Sequence, residues 1–307
     1  MLTSFFGKST PLNFLALGIY IFAMSFFHLF FDPSTVFDLR STGMFLGVVA
    51  LLIFSVLLLD FTIRKNGLTH LNTYAVLIFS CSVAMLPGLA KEPLIVISSV
   101  CLLLALRRMF SLQSPKKSER KILDASLWIA MASVFYFWSF LLFLALYVCI
   151  TLKPKTRVRD YLIPVVAVVA VLLIATAYHF VMDDSFGWFI GWLGDVSFDF
   201  SSYAQARMLV FITFMAAMLV WTIISKMVAI TSGARKERPN HLLQLYILGC
   251  CLFLVLISSE KTGVEFLFLL PAAAIIISGY IEKDKEVWFK EILLWIFVLL
   301  PVLFIFQ

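Results

Sequence analysis

ILDASLWIAMASVFYFWSFLLFLALYVCITL, residues 122–152, carries a single charge, Asp124, in thirty-one positions. Arg120 and Lys121 precede it, and Lys153, Lys155, Arg157 and Arg159 follow it. One straight helix of this length runs about 46 Å at 1.5 Å per residue, against roughly 30 Å of bilayer hydrocarbon. That is too long for one comfortable crossing. Whether the stretch crosses once, or dips and returns as two short helices, sets the sidedness of every later segment.

The rest of the chain reads as membrane protein. Of its 307 residues 62% are hydrophobic and 14% charged, and the mean hydropathy is +1.02. A soluble domain of this size leaves about a quarter of its unfolded surface exposed and cannot hide that much apolar area. The other apolar runs are Leu12–Phe31, Met44–Ile63, Thr73–Ala90, Pro93–Leu106, Tyr161–Met182, Met208–Ile230, Leu242–Ser259, Val264–Ile281 and Ile292–Phe306. Runs of this length exclude a β-barrel, whose strands alternate over about ten residues. The expected fold is all-α and polytopic, a single integral membrane domain over residues 1–307 with about eleven transmembrane or half-membrane helices. The first run follows Lys8 with no small-residue cleavage site, so it reads as an uncleaved span.

Charge decides the topology. With a cytoplasmic N-terminus and a hairpin at 122–152, 20 of the 24 Lys and Arg residues fall on the inner side, leaving Arg40, Lys91, Arg207 and Lys261 outside. A single crossing there would divide them 11 to 13. The positive-inside bias selects the hairpin. Its turn is expected within Ser133–Ser139, among Phe135, Tyr136, Phe137 and Trp138. Further breaks are expected at Leu86-Pro87-Gly88 and at Pro271 in mid-span, with Pro164 in the first turn of its helix. Gly43 and Gly47 have the spacing of a helix-packing pair.

The basic clusters need no nucleic-acid partner, because anchoring at the inner face explains them. Acid gathers outside: Asp32 and Asp38 after the first span, Asp183, Asp184, Asp195 and Asp199 in the largest outer loop, and Glu260 and Glu265 around Lys261. A carboxylate just outside the bilayer can serve as a general base, although exclusion of cations from this side also leaves acid behind. The 183–207 loop adds Phe186, Trp188, Phe189 and Trp192, the last three at helical spacing. These aromatics suit either an interfacial belt or the lid of a lipid or glycolipid site, with Asp183, Asp184, Trp188 and Trp192 as its binding residues. Asp60 is placed to pair with Arg64 four residues on, and Asp124 and Lys226 to snorkel at inner interfaces. Cys81, Cys101, Cys149, Cys250 and Cys251 lie in apolar runs without metal or disulfide spacing. Four histidines, only His28 and His179 of them near outer ends, supply no metal set, and no sequence feature calls for a cofactor.

Two resemblances follow from these segments. The unit from SLWIAMASVFYFWSFLLFLALYVC through KPKTRVRDYLIP to the long span and its polar outer loop resembles the middle of the GT-C membrane glycosyltransferases. That resemblance implies Asp32 or Asp38 as the catalytic base, a polyprenyl phosphate-linked sugar donor, and the aromatic loop lying over the lipid. The turn reads FYFW where that superfamily often carries Lys or Arg. The whole chain, through FFGKSTPLNF, LNTYAVLIF, LRRMFSLQS and RDYLIP, resembles a multi-pass inner-membrane family of Bacteroidota without an established function. The β-carotene monooxygenase label sometimes given to its members is not carried over, since carotenoid cleavage needs histidines clustered on iron. Two functions stand open: binding of a polyprenyl-linked glycan precursor at the outer leaflet, with or without transfer, and a non-catalytic subunit or scaffold held by envelope proteins.

Overall fold

The computed structural model describes residues 2–31, 38–70, 72–86, 88–114, 116–184, 186–232, 238–259, 261–283 and 286–304. Among them all regular structure is helical: α1 (Leu2–Phe6), α2 (Pro11–Phe30), α3 (Leu39–Asn66), α4 (Tyr74–Met85), α5 (Pro93–Phe110), α6 (Ser118–Phe135), α7 (Leu142–Leu152), α8 (Val158–Asp183), α9 (Trp188–Trp192), α10 (Ala206–Ser232), α11 (Arg238–Ile257), α12 (Leu270–Lys283) and α13 (Val287–Leu303). Among the described residues six segments are long and apolar enough to cross a membrane: Pro11–Phe30, Leu39–Asn66, Pro93–Gln113, Val158–Asp183, Ala206–Val228 and Arg238–Ile257. The chain forms two compact units, one from residues 1–96, 199–234 and 261–307, the other from 97–198 and 235–260.

The first unit is built around α4. All twelve of its residues, from Tyr74 to Met85, are buried. A helix apolar on every side belongs inside a bundle, and α2, α3, α12 and α13 surround this one. Small residues Ala272, Ala273 and Ala274 line α12, where they allow close backbone approach. The helix stops at Met85 because Leu86, the residue before a proline, is extended (φ −80°, ψ 124°); the expected break at Pro87 itself lies outside the described residues. Polar side chains tie one end together. Asn13 Nδ2 donates to the Lys8 carbonyl at 2.7 Å and Thr73 Oγ1 donates to the Phe6 carbonyl at 2.9 Å. Glu291 accepts from the Leu2 and Thr3 amides at the start of α1, where a carboxylate complements the helix dipole. Asp60 pairs with Arg64 at 2.7 Å as the i,i+4 spacing predicts.

Three expectations are corrected. Pro271 does not kink a span: residues 264–268 form a 3₁₀ turn and Pro271 is the second residue of α12, where its missing N–H costs no helical bond. Pro164 lies inside its helix instead of in the first turn, because α8 starts three residues early, at Val158, with the Asp160 carboxylate accepting from the Arg157 amide. A Cβ added at Gly43 or Gly47 would meet no neighbouring helix within 4 Å among the described residues, so neither glycine marks a close helix approach.

The second unit is organised by the hairpin. α6 ends at Phe135, Tyr136 is extended (φ −147°, ψ 104°), residues 137–141 form a 3₁₀ turn, and α7 returns. Its ends meet. Lys153 Nζ, just past α7, lies 3.5 Å from Ser118 Oγ at the start of α6, and Arg157 reaches Glu119 at 3.8 Å. A single crossing would hold those ends about 46 Å apart. α5 seals the break, where Ser98 Oγ donates to the Ala132 carbonyl at 2.9 Å and lies 2.8 Å from Ser139 Oγ. α8 packs on α6 through a narrow stripe, Asp160, Pro164, Ala167, Val171 and Ala175. Its other faces stay exposed, Leu173 at 66% and Ile174 at 70%, a surface suited to lipid contact. Near the hairpin base Asp124 pairs with Arg108 at 2.8 Å.

The base is closed by Lys153 and Asp160, paired at 2.5 Å with both side chains 1% exposed. Breaking a buried pair strands a charge, at a cost of about 3–5 kcal/mol, whereas replacing both partners by apolar groups is often neutral. Lys153→Met is therefore expected to lower the thermal unfolding midpoint in detergent far more than Lys153→Met combined with Asp160→Leu.

Candidate functional site

The break in the hairpin carries the aromatic loop that follows α8. Trp192 donates from Nε1 to the Ser133 carbonyl at 2.5 Å and meets Phe137 edge-on at 5.0 Å. Ser133 lies in the last turn of α6, whose carbonyls lack helical partners, so the indole satisfies a group that the break leaves open. Gly194 follows, and a Cβ there would come within 2.9 Å of Trp138 Nε1 and 3.1 Å of the Phe137 ring. The Ser197 amide donates to the Ile257 carbonyl, and Tyr136 shares a short hydroxyl contact with Ser258. Trp138 Nε1 itself is buried with no partner among the described residues.

Above this anchor the loop turns apolar side chains outward. Phe186 is 66% exposed, Ile190 78% and Phe198 69%. His179 pairs with Asp183 at 2.9 Å and stacks on Trp188, with centroids 5.0 Å apart and planes within 9°. Trp188 in turn packs on Trp192 at 5.8 Å. Asp183, Trp188 and Trp192 thus belong to one cluster, while Asp184 holds the left-handed position that ends α8 (φ 48°). α9 is the single helical turn that the spacing of Trp188, Phe189 and Trp192 predicts.

In the first unit Asp38 is engaged as a helix cap. Its Oδ1 accepts from the Leu39 amide at 2.7 Å, and the Asp38 amide donates to the Ser41 hydroxyl at 2.9 Å. Asp32 lies outside the described residues. A cavity of about 40 Å³, bordered by Met24, His28, Phe45, Leu89 and Lys91, has room for a few waters and not for a glycolipid. Arg207 donates to His28 at 2.7 Å and lies over the Phe304 ring at 5.5 Å.

An acid of this unit plays a part that its loop position conceals. Glu265 is fully buried, accepting a short bond from the Tyr203 hydroxyl and a longer one, 3.4 Å, from Thr262. Lys261 is also buried, with Nζ 4.9 Å from the Phe200 ring. Burial draws the Lys261 ammonium below its usual range, and the Glu265 charge opposes that shift. The signal in the sequence is an acid one residue into the run VEFLFLLPAAAIII, where a solvated loop acid has no reason to be. Lys226 is likewise buried beside Gly279 instead of snorkelling. Among the described residues no three His, Cys, Asp or Glu side chains gather as a metal set, and all five cysteines are free thiols.

Among the described residues this defines the class of the protein: all regular structure is helical, six helices are able to cross a membrane, and an aromatic loop is fastened to the break of a short hairpin. Its sequence places it further: residues 8–307 match the family of unknown function DUF6427, and the chain belongs to that family. Neither the curated proteins nor the solved structures include a match to it.

The capping role of Asp38 has a direct check. Asn is as good an N-cap as Asp, whereas Ala costs about 0.5–2 kcal/mol. Thermal unfolding is expected to show Asp38→Asn near wild type and Asp38→Ala lower.

Proposed function

We propose that this is a bacterial inner-membrane protein with a cytoplasmic N-terminus that binds a polyprenyl-linked glycan precursor at the outer leaflet. In this reading the short helices α4, α6, α7, α12 and α13 join the six long spans to give about eleven transmembrane or half-membrane segments, arranged in GT-C-like fashion. The observation that carries it is the exposed aromatic loop pinned to the hairpin break through Trp192. Exposed Phe186, Ile190 and Phe198 on the loop suit an isoprenoid chain, and the buried indole Nε1 of Trp138, without a partner among the described residues, suits a polar head.

Sidedness rests on charge. Within the second unit Lys117, Arg120, Lys153, Lys155 and Arg157 border the hairpin base, and the break is lined by aromatics and serines. Binding without transfer is the favoured reading, because the Asp38 carboxylate is occupied in capping α3.

Native mass spectrometry of gently purified protein tests this. Wild type is expected to retain a polyprenyl phosphate or its glycan-bearing form. Trp192→Ala is expected to lose about tenfold in retention, the effect of removing one aromatic anchor worth about 1.4 kcal/mol. Bulk phospholipid alone, equal in wild type and variant, would contradict the proposal, and a stoichiometric envelope protein held in its place would return the scaffold reading.

A further inference from the structure

The opposite end of the same hairpin holds a second feature, independent of the aromatic loop. Between the first turns of α6 and α8 lies a groove of about 400 Å³ bordered by Lys117, Arg120, Lys153, Lys155 and Arg157. It shares Glu119 and Arg120 with a second groove of about 530 Å³, whose walls are Leu123, Leu162, Ile163 and Val166, with Arg159 at its edge. Together they make one trough, charged at one end and apolar along the other. We propose that this trough is a specific binding site for an anionic phospholipid, with the phosphate among the cations between α6 and α8 and an acyl chain along Leu162 and Val166.

Charge accounting supports an anion. Lys153 is neutralised by Asp160 beneath the groove, and Glu119 faces Arg157 at 3.8 Å. Among the described residues Lys117, Arg120, Lys155 and Arg159 have no acid at ion-pair distance. Four uncompensated cations around one concavity repel one another until an anion enters. The volume falls within the roughly 300–1,000 Å³ of small-ligand sites. The helix α6 also begins here with no side-chain cap, and the N–H groups of its first turn add positive potential at the same mouth. Lys117 and Lys155 both take left-handed backbone, with φ of 54° and 61°. Such conformations are uncommon in residues other than glycine, and here they fix the two loops that bound the groove. Sidedness alone asks only for cations near an interface; it does not ask for a concavity continuous with an apolar wall.

A phosphate ion and a zwitterionic lipid share parts of this chemistry, and titration separates them. The full-length protein in neutral detergent is titrated with dioctanoyl phosphatidic acid, dioctanoyl phosphatidylcholine and inorganic phosphate, and binding is read by calorimetry. Saturable one-to-one binding of phosphatidic acid is expected, at least about tenfold tighter than either comparator, which is about 1.4 kcal/mol. Lys155→Gln with Arg157→Gln, both at exposed positions, is expected to weaken it about tenfold, and Arg120→Gln at the junction of the two grooves to do likewise. Leu162→Ser is expected to weaken the lipid and leave phosphate unchanged. Lys8→Gln with Lys65→Gln, which removes two cations in the first unit, should change nothing. Equal binding of the two lipids, phosphate binding as tightly as lipid, or an equal loss in the Lys8/Lys65 control would each overturn the site.

Discussion

Backbone groups freed at membrane depth must be satisfied by protein, since lipid offers no partner and each orphan costs several kcal/mol. The second unit of this protein is arranged around that constraint. The helix pair α6 and α7 interrupts a run whose only charge is Asp124, and the interruption opens the carbonyl of Ser133. Trp192 reaches that carbonyl, and Ser98 adds a second donor to the Ala132 carbonyl, which already accepts from the Tyr136 amide. The serine on α5 and the tryptophan in the loop after α8 come from opposite sides in sequence, so closing the break fixes where both elements lie. The loop's exposed aromatic surface follows from this, because its anchor uses one tryptophan and turns the neighbouring side chains outward.

The hairpin has a second closure at its base, of opposite character. There the chain brings cations together, and a fully buried Lys153–Asp160 pair holds α7 to α8. One end of the hairpin is therefore neutral and aromatic and the other basic, with about 16 Å of helix between them as set by the 11 residues of α7 and the 1.5 Å rise. That polarity gives the hairpin two chemically distinct ends, and it keeps the two proposed lipid sites apart.

Much of this was legible in the residues. The count of Lys and Arg selects the hairpin over a single crossing, and FYFW locates the break to within a residue or two of Tyr136. The Asp60–Arg64 pair follows from spacing alone. What could not be read has a common physical cause: in a membrane protein hydropathy does not separate core from lipid face, since both are apolar. α4 and α8 look alike in sequence, yet the first is buried all round and the second exposes most of its surface. The same ambiguity hides Glu265, whose burial depends on Tyr203 sixty-two positions earlier. It also hides the division of labour among the aromatics, with Trp192 fastening the loop and Trp188 stacking on His179. Asp38 illustrates the reverse case, where a carboxylate that resemblance marks for chemistry is taken up by local capping geometry.

The reversal of the chain between α6 and α7 supports every later statement about sidedness and site. It is tested most directly by a spin–spin distance between labels at Glu119→Cys and Lys155→Cys in a cysteine-free background reconstituted in bilayers. A hairpin places both labels at its base, and the expected separation is short, below about 20 Å. A separation of about 46 Å or more, the length of one continuous helix over residues 122–152, would contradict the account.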